Sequence, residues 1–182
     1  MIKKFAAAFA ALALTAGAHA TSVAVDSSEH ATDTSVSGTF SASATGTDTL
    51  TFDLNGYATL DGKNFYEDDF SLAINGTTVY VGTFDLGGGG ADVVYQNTIG
   101  ATYTQSGQTL SFTAPVDLTA GSNTFTFSYV SLSDSAHAGF QGLGDEGWGV
   151  SNVAVVPEAG SLAMMLAGLG VVGGLARRRR QA

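Results

Sequence analysis

The stretch Asp61-Gly62-Lys63-Asn64-Phe65-Tyr66-Glu67-Asp68-Asp69 places five carboxylate or carboxamide side chains within nine residues: Asp61, Asn64, Glu67, Asp68 and Asp69. Calcium takes six to eight hard oxygens from carboxylates, carbonyls and water, often supplied by loops. This loop is therefore a calcium candidate, and its plainer reading is a solvated acidic loop. A second stretch, Asp85 to Asp92, brackets the four glycines Gly87 to Gly90 with two carboxylates. Neither stretch follows the EF-hand spacing or a glycine-rich nonapeptide repeat. The glycine run also lacks the Gly-Lys-Ser/Thr that completes a phosphate loop, so it reads as a mobile hairpin or loop tip.

Other chemistries fit less well. Glycoside hydrolysis needs two carboxylates flanking a sugar. Glu67 and Glu146, with Asp68, Asp69 and Asp145, offer candidates, but fifteen acids precede Glu158 and some pair will always fit. Nucleophilic catalysis lacks a cysteine and a Gly-x-Ser-x-Gly, and only His30 and His137 lie beyond the first twenty residues. Two separated histidines without cysteine have no zinc-ligand spacing. No catalytic residue is assigned, and the chain is expected not to be an enzyme. A carbohydrate site would need exposed aromatic faces with polar neighbours. Tyr57, Phe65, Tyr66 and Tyr95 are candidates, and Phe65 and Tyr66 rank first because neither belongs to a strand face. Trp148 is a further candidate platform, whose plainer reading is a core plug at one end of the fold.

These residues must be positioned by strands. Leu50, Phe52 and Leu54 alternate with Thr51 and Asp53; Phe70, Leu72 and Ile74 alternate likewise, as do Phe125, Phe127 and Tyr129. Period two with β-branched and aromatic enrichment predicts half-buried strands. Asn75-Gly76 suits a type I′ turn, so Phe70–Ile74 and Thr78–Phe84 should form a hairpin. Further strands fit near Gly38–Ala44, Asp92–Gln96, Thr109–Phe112 and Gly149–Val155. Many short strands between Gly, Asn and Asp turns predict an all-β fold, a jelly-roll-like β-sandwich.

The two ends have a different composition. Residues 1–20 open with Lys3 and Lys4, continue apolar from Phe5 to Leu14, and close on Ala18-His19-Ala20, the order of a secretory signal peptide. Residues 21–34 are polar and read as a flexible leader, residues 35–156 as the sandwich domain, and 157–182 as a separate tail. From Ala159 to Ala176 there is no charge, and Arg177, Arg178, Arg179 and Arg180 follow. As a helix the uncharged run would span ~27 Å, close to a bilayer core of ~30 Å. The arginines would then stay on the cytoplasmic side.

Between the ends, residues 21–158 hold one lysine and all sixteen acidic residues, a net charge of −15. Such a surface repels nucleic-acid phosphates, which excludes nucleic acid as a partner. There is no cysteine for a disulfide, so the core, with or without metal, must hold the domain.

The tail resembles the PEP-CTERM sorting signal of Gram-negative bacteria: Val156-Pro157-Glu158-Ala159, the run Leu162–Ala176, then Arg177–Arg180. Ala159 stands where that family has its second proline. The resemblance implies export across the inner membrane, a transient membrane anchor through the C-terminal helix, and processing by an exosortase. Delivery to the cell surface or extracellular matrix would follow. The segment Asp145-Glu146-Gly147-Trp148-Gly149-Val150-Ser151-Asn152-Val153-Ala154-Val155-Val156 is similar to the closing strand of extracellular jelly-roll, lectin-like domains, matching at Trp148, Val150, Val153 and Val155, with Ser151 where Asp is common. Together these features lead to an expected surface protein with a structural or adhesive role in an exopolysaccharide matrix. The alternatives are a calcium-dependent carbohydrate-binding module and, third, a glycoside hydrolase.

Overall fold

The computed structural model describes residues 19–132 and 142–158, together with Gly168, Leu169, Gly170, Gly173 and Arg177, which are helical. Thirteen strands follow in order: β1 (Thr21–Ser22), β2 (His30–Ala31), β3 (Thr34–Ala42), β4 (Gly46–Gly56), β5 (Leu60–Asp61), β6 (Asp68–Ile74), β7 (Thr77–Thr83), β8 (Gly87–Gly89), β9 (Val93–Asn97), β10 (Thr102–Ser106), β11 (Thr109–Leu118), β12 (Gly121–Ser131) and β13 (Gly147–Pro157). One sheet runs β1-β13-β4-β11-β10, with β2 also on β13; the other runs β3-β12-β6-β7-β9. Pairing in both is antiparallel, and only the small β5–β8 pair is parallel. This is the jelly-roll-like sandwich that the alternation predicts.

The two sheets meet over aromatic side chains. Phe52 of β4 and Phe112 of β11 are cross-strand partners and stack at 4.7 Å. Phe127 of the facing sheet meets Phe52 edge-on at 5.0 Å, and Tyr80 meets Phe112 edge-on at 5.4 Å. Offset and edge contacts of this kind add to burial, which is the main stabilising term without disulfides. The β6–β7 hairpin turns at Asn75 and Gly76, whose φ values of 51° and 79° are those a type I′ turn requires.

Two local expectations need correction, and for Trp148 the plainer reading holds over the platform. Residues 21–34 are not a loose leader: β1 pairs with Val155 and Ala154, β2 pairs with Gly147 and Trp148, and Val23 is buried. The glycine run is not a free loop tip. Gly87 and Gly89 donate backbone N–H groups to Asp85 Oδ1, and a Cβ on Gly88 would stand 2.7 Å from Asp61 Oδ2. Trp148 is fully buried against Tyr129 and His30, with Nε1 donating to Ala31 O at 2.9 Å and to Thr34 Oγ1 at 3.2 Å. A buried ring with its one donor satisfied is a plug, so it offers no platform to a sugar. The signal peptide (apart from His19 and Ala20), His137, and most of the tail, including Ala159, Arg178, Arg179 and Arg180, lie outside the described residues.

Candidate metal centre

Strand alternation decides which acids of the 61–69 loop face inward. Asp68 opens β6 opposite Ser131 of β12 and is fully buried; Asp69 follows it and points the other way, half-buried. Asp61 ends β5 at the other end of the loop, and its own N–H donates to Asp68 Oδ2 at 3.0 Å. The third acid comes from the far end of the sequence. Glu146 lies two residues before Trp148, on the turn that leads into β13. Its carbonyl accepts from Thr32 N–H at 3.2 Å, and its Oε2 from Thr32 Oγ1 at 3.4 Å. One carboxylate oxygen from each of Asp61, Asp68 and Glu146 lies within 4.8 Å of the other two, and all three residues are buried.

Such a cluster is costly without a counter-ion, because burial and mutual repulsion both oppose ionisation. Burial first, then the charges of neighbouring carboxylates, push Glu146 up to about 7. Burial likewise pushes Asp68 up to about 6, against the N–H of Asp61, which favours the charged form. Asp61 is raised by burial too, although Asn64 Nδ2 donates to its Oδ1 at 2.6 Å. Among the described residues Asp68 Oδ1 has no hydrogen-bond partner, while the Ser131 side chain favours the charged form of the carboxylate. The fully buried Tyr129 hydroxyl also has no partner among the described residues, and burial followed by the charge of Asp68 raises its pKa.

Among the described residues no cation stands beside the cluster. Lys63, the one lysine of residues 21–158, is held 2.6 Å from Glu67 Oε2 and 5.5 Å from the centre of the Tyr95 ring. Tyr95 also donates its hydroxyl to Glu67 Oε1. Three hard oxygen donors and an orphaned buried carboxylate oxygen, with no nitrogen or sulfur ligand among the described residues, fit a calcium-type ion better than zinc. The backbone of β8 closes over Asp61 on one side, since a Cβ on Gly88 would also stand 2.4 Å from Thr59 O.

The candidate set is thus partly reassembled. Asp61 and Asp68 come together with Glu146, whose place in the sequence suggested only a hydrolytic carboxylate. Asn64 orients Asp61, Glu67 turns to Lys63 and Tyr95, and Asp69 stands apart. Asp85 and Asp92 each turn Oδ1 to backbone N–H groups of the glycine loop and its start. Phe65 and Tyr66 are exposed, at 74% and 43%, on the loop whose ends are Asp61 and Asp68.

The C-terminus adds a different kind of signal. Residues 155–180 match the family model described as the PEP-CTERM protein-sorting motif. The chain ends in a PEP-CTERM sorting motif. That PEP-CTERM match begins inside β13, at Val155, and runs through the arginine cluster. Comparison with curated proteins gives no match. Among solved structures, a family 35 carbohydrate binding module from an environmental isolate is similar over 80% of this chain and 95% of its own, at 13% identity and a TM-score of 0.36. A CBM35 from Cellvibrio japonicus Abf62 is 20% identical over 79% of this chain and 93% of its own, with a TM-score of 0.31. A Xyl-CBM35 solved with a glucuronic acid containing disaccharide is 20% identical over 79% and 94%, with a TM-score of 0.30. These similarities are too distant to carry a ligand to this chain, and the sandwich stands on its own strand order.

Proposed function

We propose that this is an exported, non-catalytic sandwich protein, sorted by an exosortase and retained in an exopolysaccharide matrix as a structural and adhesive component. A calcium ion bound by Asp61, Asp68 and Glu146 would neutralise their charges and tie β5, β6 and the start of β13 together. The observation that carries this reading is the buried carboxylate triad, with no cation beside it among the described residues, in a domain joined directly to a sorting motif. Burial favours an ion over hydrolysis: relative exposures of 8%, 0% and 3% leave no room for a sugar between the carboxylates. With a net charge of −15 on residues 21–158, approach to an anionic polymer is easiest when a divalent cation bridges the two. Surface retention measured with calcium and with chelator tests the proposal, and loss of the protein from the matrix in chelator is the expected result.

A second reading, calcium-dependent carbohydrate binding, is favoured by one further observation. Both ends of the 61–69 loop belong to the ion cluster, while its apex presents Phe65 and Tyr66 to solvent. Ordering the loop by an ion would fix those rings as stacking faces. A glycan array run with and without calcium separates the readings, because a Phe65→Ala/Tyr66→Ala variant should lose glycan binding only under the second.

A further inference from the structure

The sorting motif does not hang from the sandwich on a linker; its first residues are part of the sandwich. Val156 lies opposite Thr49 and Pro157 opposite Asp48 across the β13–β4 ladder. The Glu158 N–H donates to Asp48 Oδ1 at 3.4 Å. On the other flank of β13, Val155 pairs with Thr21 of β1, and its side chain is fully buried. Only three residues separate Glu158 from Leu162, where the apolar run begins, so the slack amounts to ~10 Å of extended chain.

Enzymes that bind a peptide segment in extended form use the same backbone edges that a neighbouring strand uses. The bonds around Pro157-Glu158 are therefore masked while the end of β13 stays paired with β4. Resting on the sorting reading above, we propose that this pairing gates exosortase processing: the motif becomes a substrate only when Val156 and Pro157 peel away from Thr49 and Asp48. Peeling both residues frees ~7 Å of chain. Terminal rungs are the part of a sheet that opens at lowest cost, and the buried Val155 side chain marks where fraying stops. Cleavage would then follow the small population of the opened form instead of the abundance of the enzyme alone. The released protein would keep its whole sandwich and almost no residue beyond it.

A reversible lock tests this. The chain has no cysteine, and Thr49 and Val156 are directly opposed and half-buried, so a Thr49→Cys/Val156→Cys pair crosslinks the ladder without entering the core. The full-length protein is expressed in the cell that carries the exosortase, and intact mass follows loss of Arg177–Arg180 over time. A second variant, with a six-residue Gly-Ser insertion between Val156 and Pro157, frees the motif from the sheet. The crosslinked form should be processed about tenfold more slowly or worse, reductant should restore the rate, and the insertion should be processed faster than the unmodified chain. Equal rates for the crosslinked and unmodified chains, or no gain from the insertion, overturn the gate. An unmodified chain that keeps Arg177–Arg180 overturns the sorting reading itself.

Discussion

Replacing Asp68 by Asn should change the sign of its effect on stability with calcium. The substitution keeps an oxygen to accept the Asp61 N–H and removes one of three clustered charges. Burial and its neighbours push Asp68 up to about 6 from an ordinary 3.8, so keeping it ionised at pH 8 costs about 2 kcal/mol once residual solvent screening is allowed for. In chelator, Asp68→Asn should therefore raise the unfolding midpoint. In calcium the order reverses, because the unmodified protein gains ~2.7 kcal/mol at a hundredfold excess over Kd. For a domain of this size that is a rise of roughly 10 °C, which the variant should largely lack. Thermal unfolding of both proteins in calcium and in chelator gives all four midpoints, with Asp69→Asn as the control outside the cluster. A variant less stable in chelator that still gains fully from calcium would refute the reasoning, since the triad would then be neither strained nor a site.

Three further outcomes follow from the same geometry. Without metal, Asp68 and Glu146 hold protons more tightly folded than unfolded, with values of about 6 and about 7 against 3.8 and 4.5. The folded state therefore binds more protons between about pH 4 and pH 7, and stability in chelator should fall as pH rises through that window; a midpoint flat from pH 5 to pH 8 would contradict the raised values. Trp148→Ala should cost ~3–5 kcal/mol and unfold or aggregate the domain, whereas Trp148→Phe should fold with a lower midpoint, having lost the bonds to Ala31 O and Thr34 Oγ1 and part of the buried ring; denaturant midpoints of the two variants check this. Gly88→Ala should lower the midpoint and abolish the calcium response, because its Cβ would stand 2.6 Å from Asp61 Cγ; a calcium titration followed by unfolding reads both effects.

Much of the fold is legible in the sequence because its long strands alternate apolar and polar residues without interruption. Leu50, Phe52 and Leu54, or Phe125, Phe127 and Tyr129, declare their buried face by period alone. β10 has no such signature: Thr102–Ser106 is an edge strand, almost wholly exposed, held by its pairing with β11. β1 and β2 are equally silent, being two residues each and fixed by β13 and not by their own pattern. At the site, the crowding of acids between Asp61 and Asp69 is visible, but which of them face inward depends on register. Asp68 and Asp69 cannot both face the interior of one strand. Glu146 was the residue that local spacing could not supply, since its partners are far away in sequence. A signal was nonetheless present: a carboxylate two positions before a core tryptophan stands close to the interior, where it needs a partner.

The measurement that bears most directly on the proposed role is co-sedimentation of the mature protein with exopolysaccharide from the producing cell, in calcium and in chelator. The account predicts that the protein pellets with the polymer in calcium and returns to solution in chelator, and that Asp68→Asn stays largely soluble in both. Mature protein that remains in solution with calcium present, while folded and processed, would contradict a structural or adhesive place in the matrix.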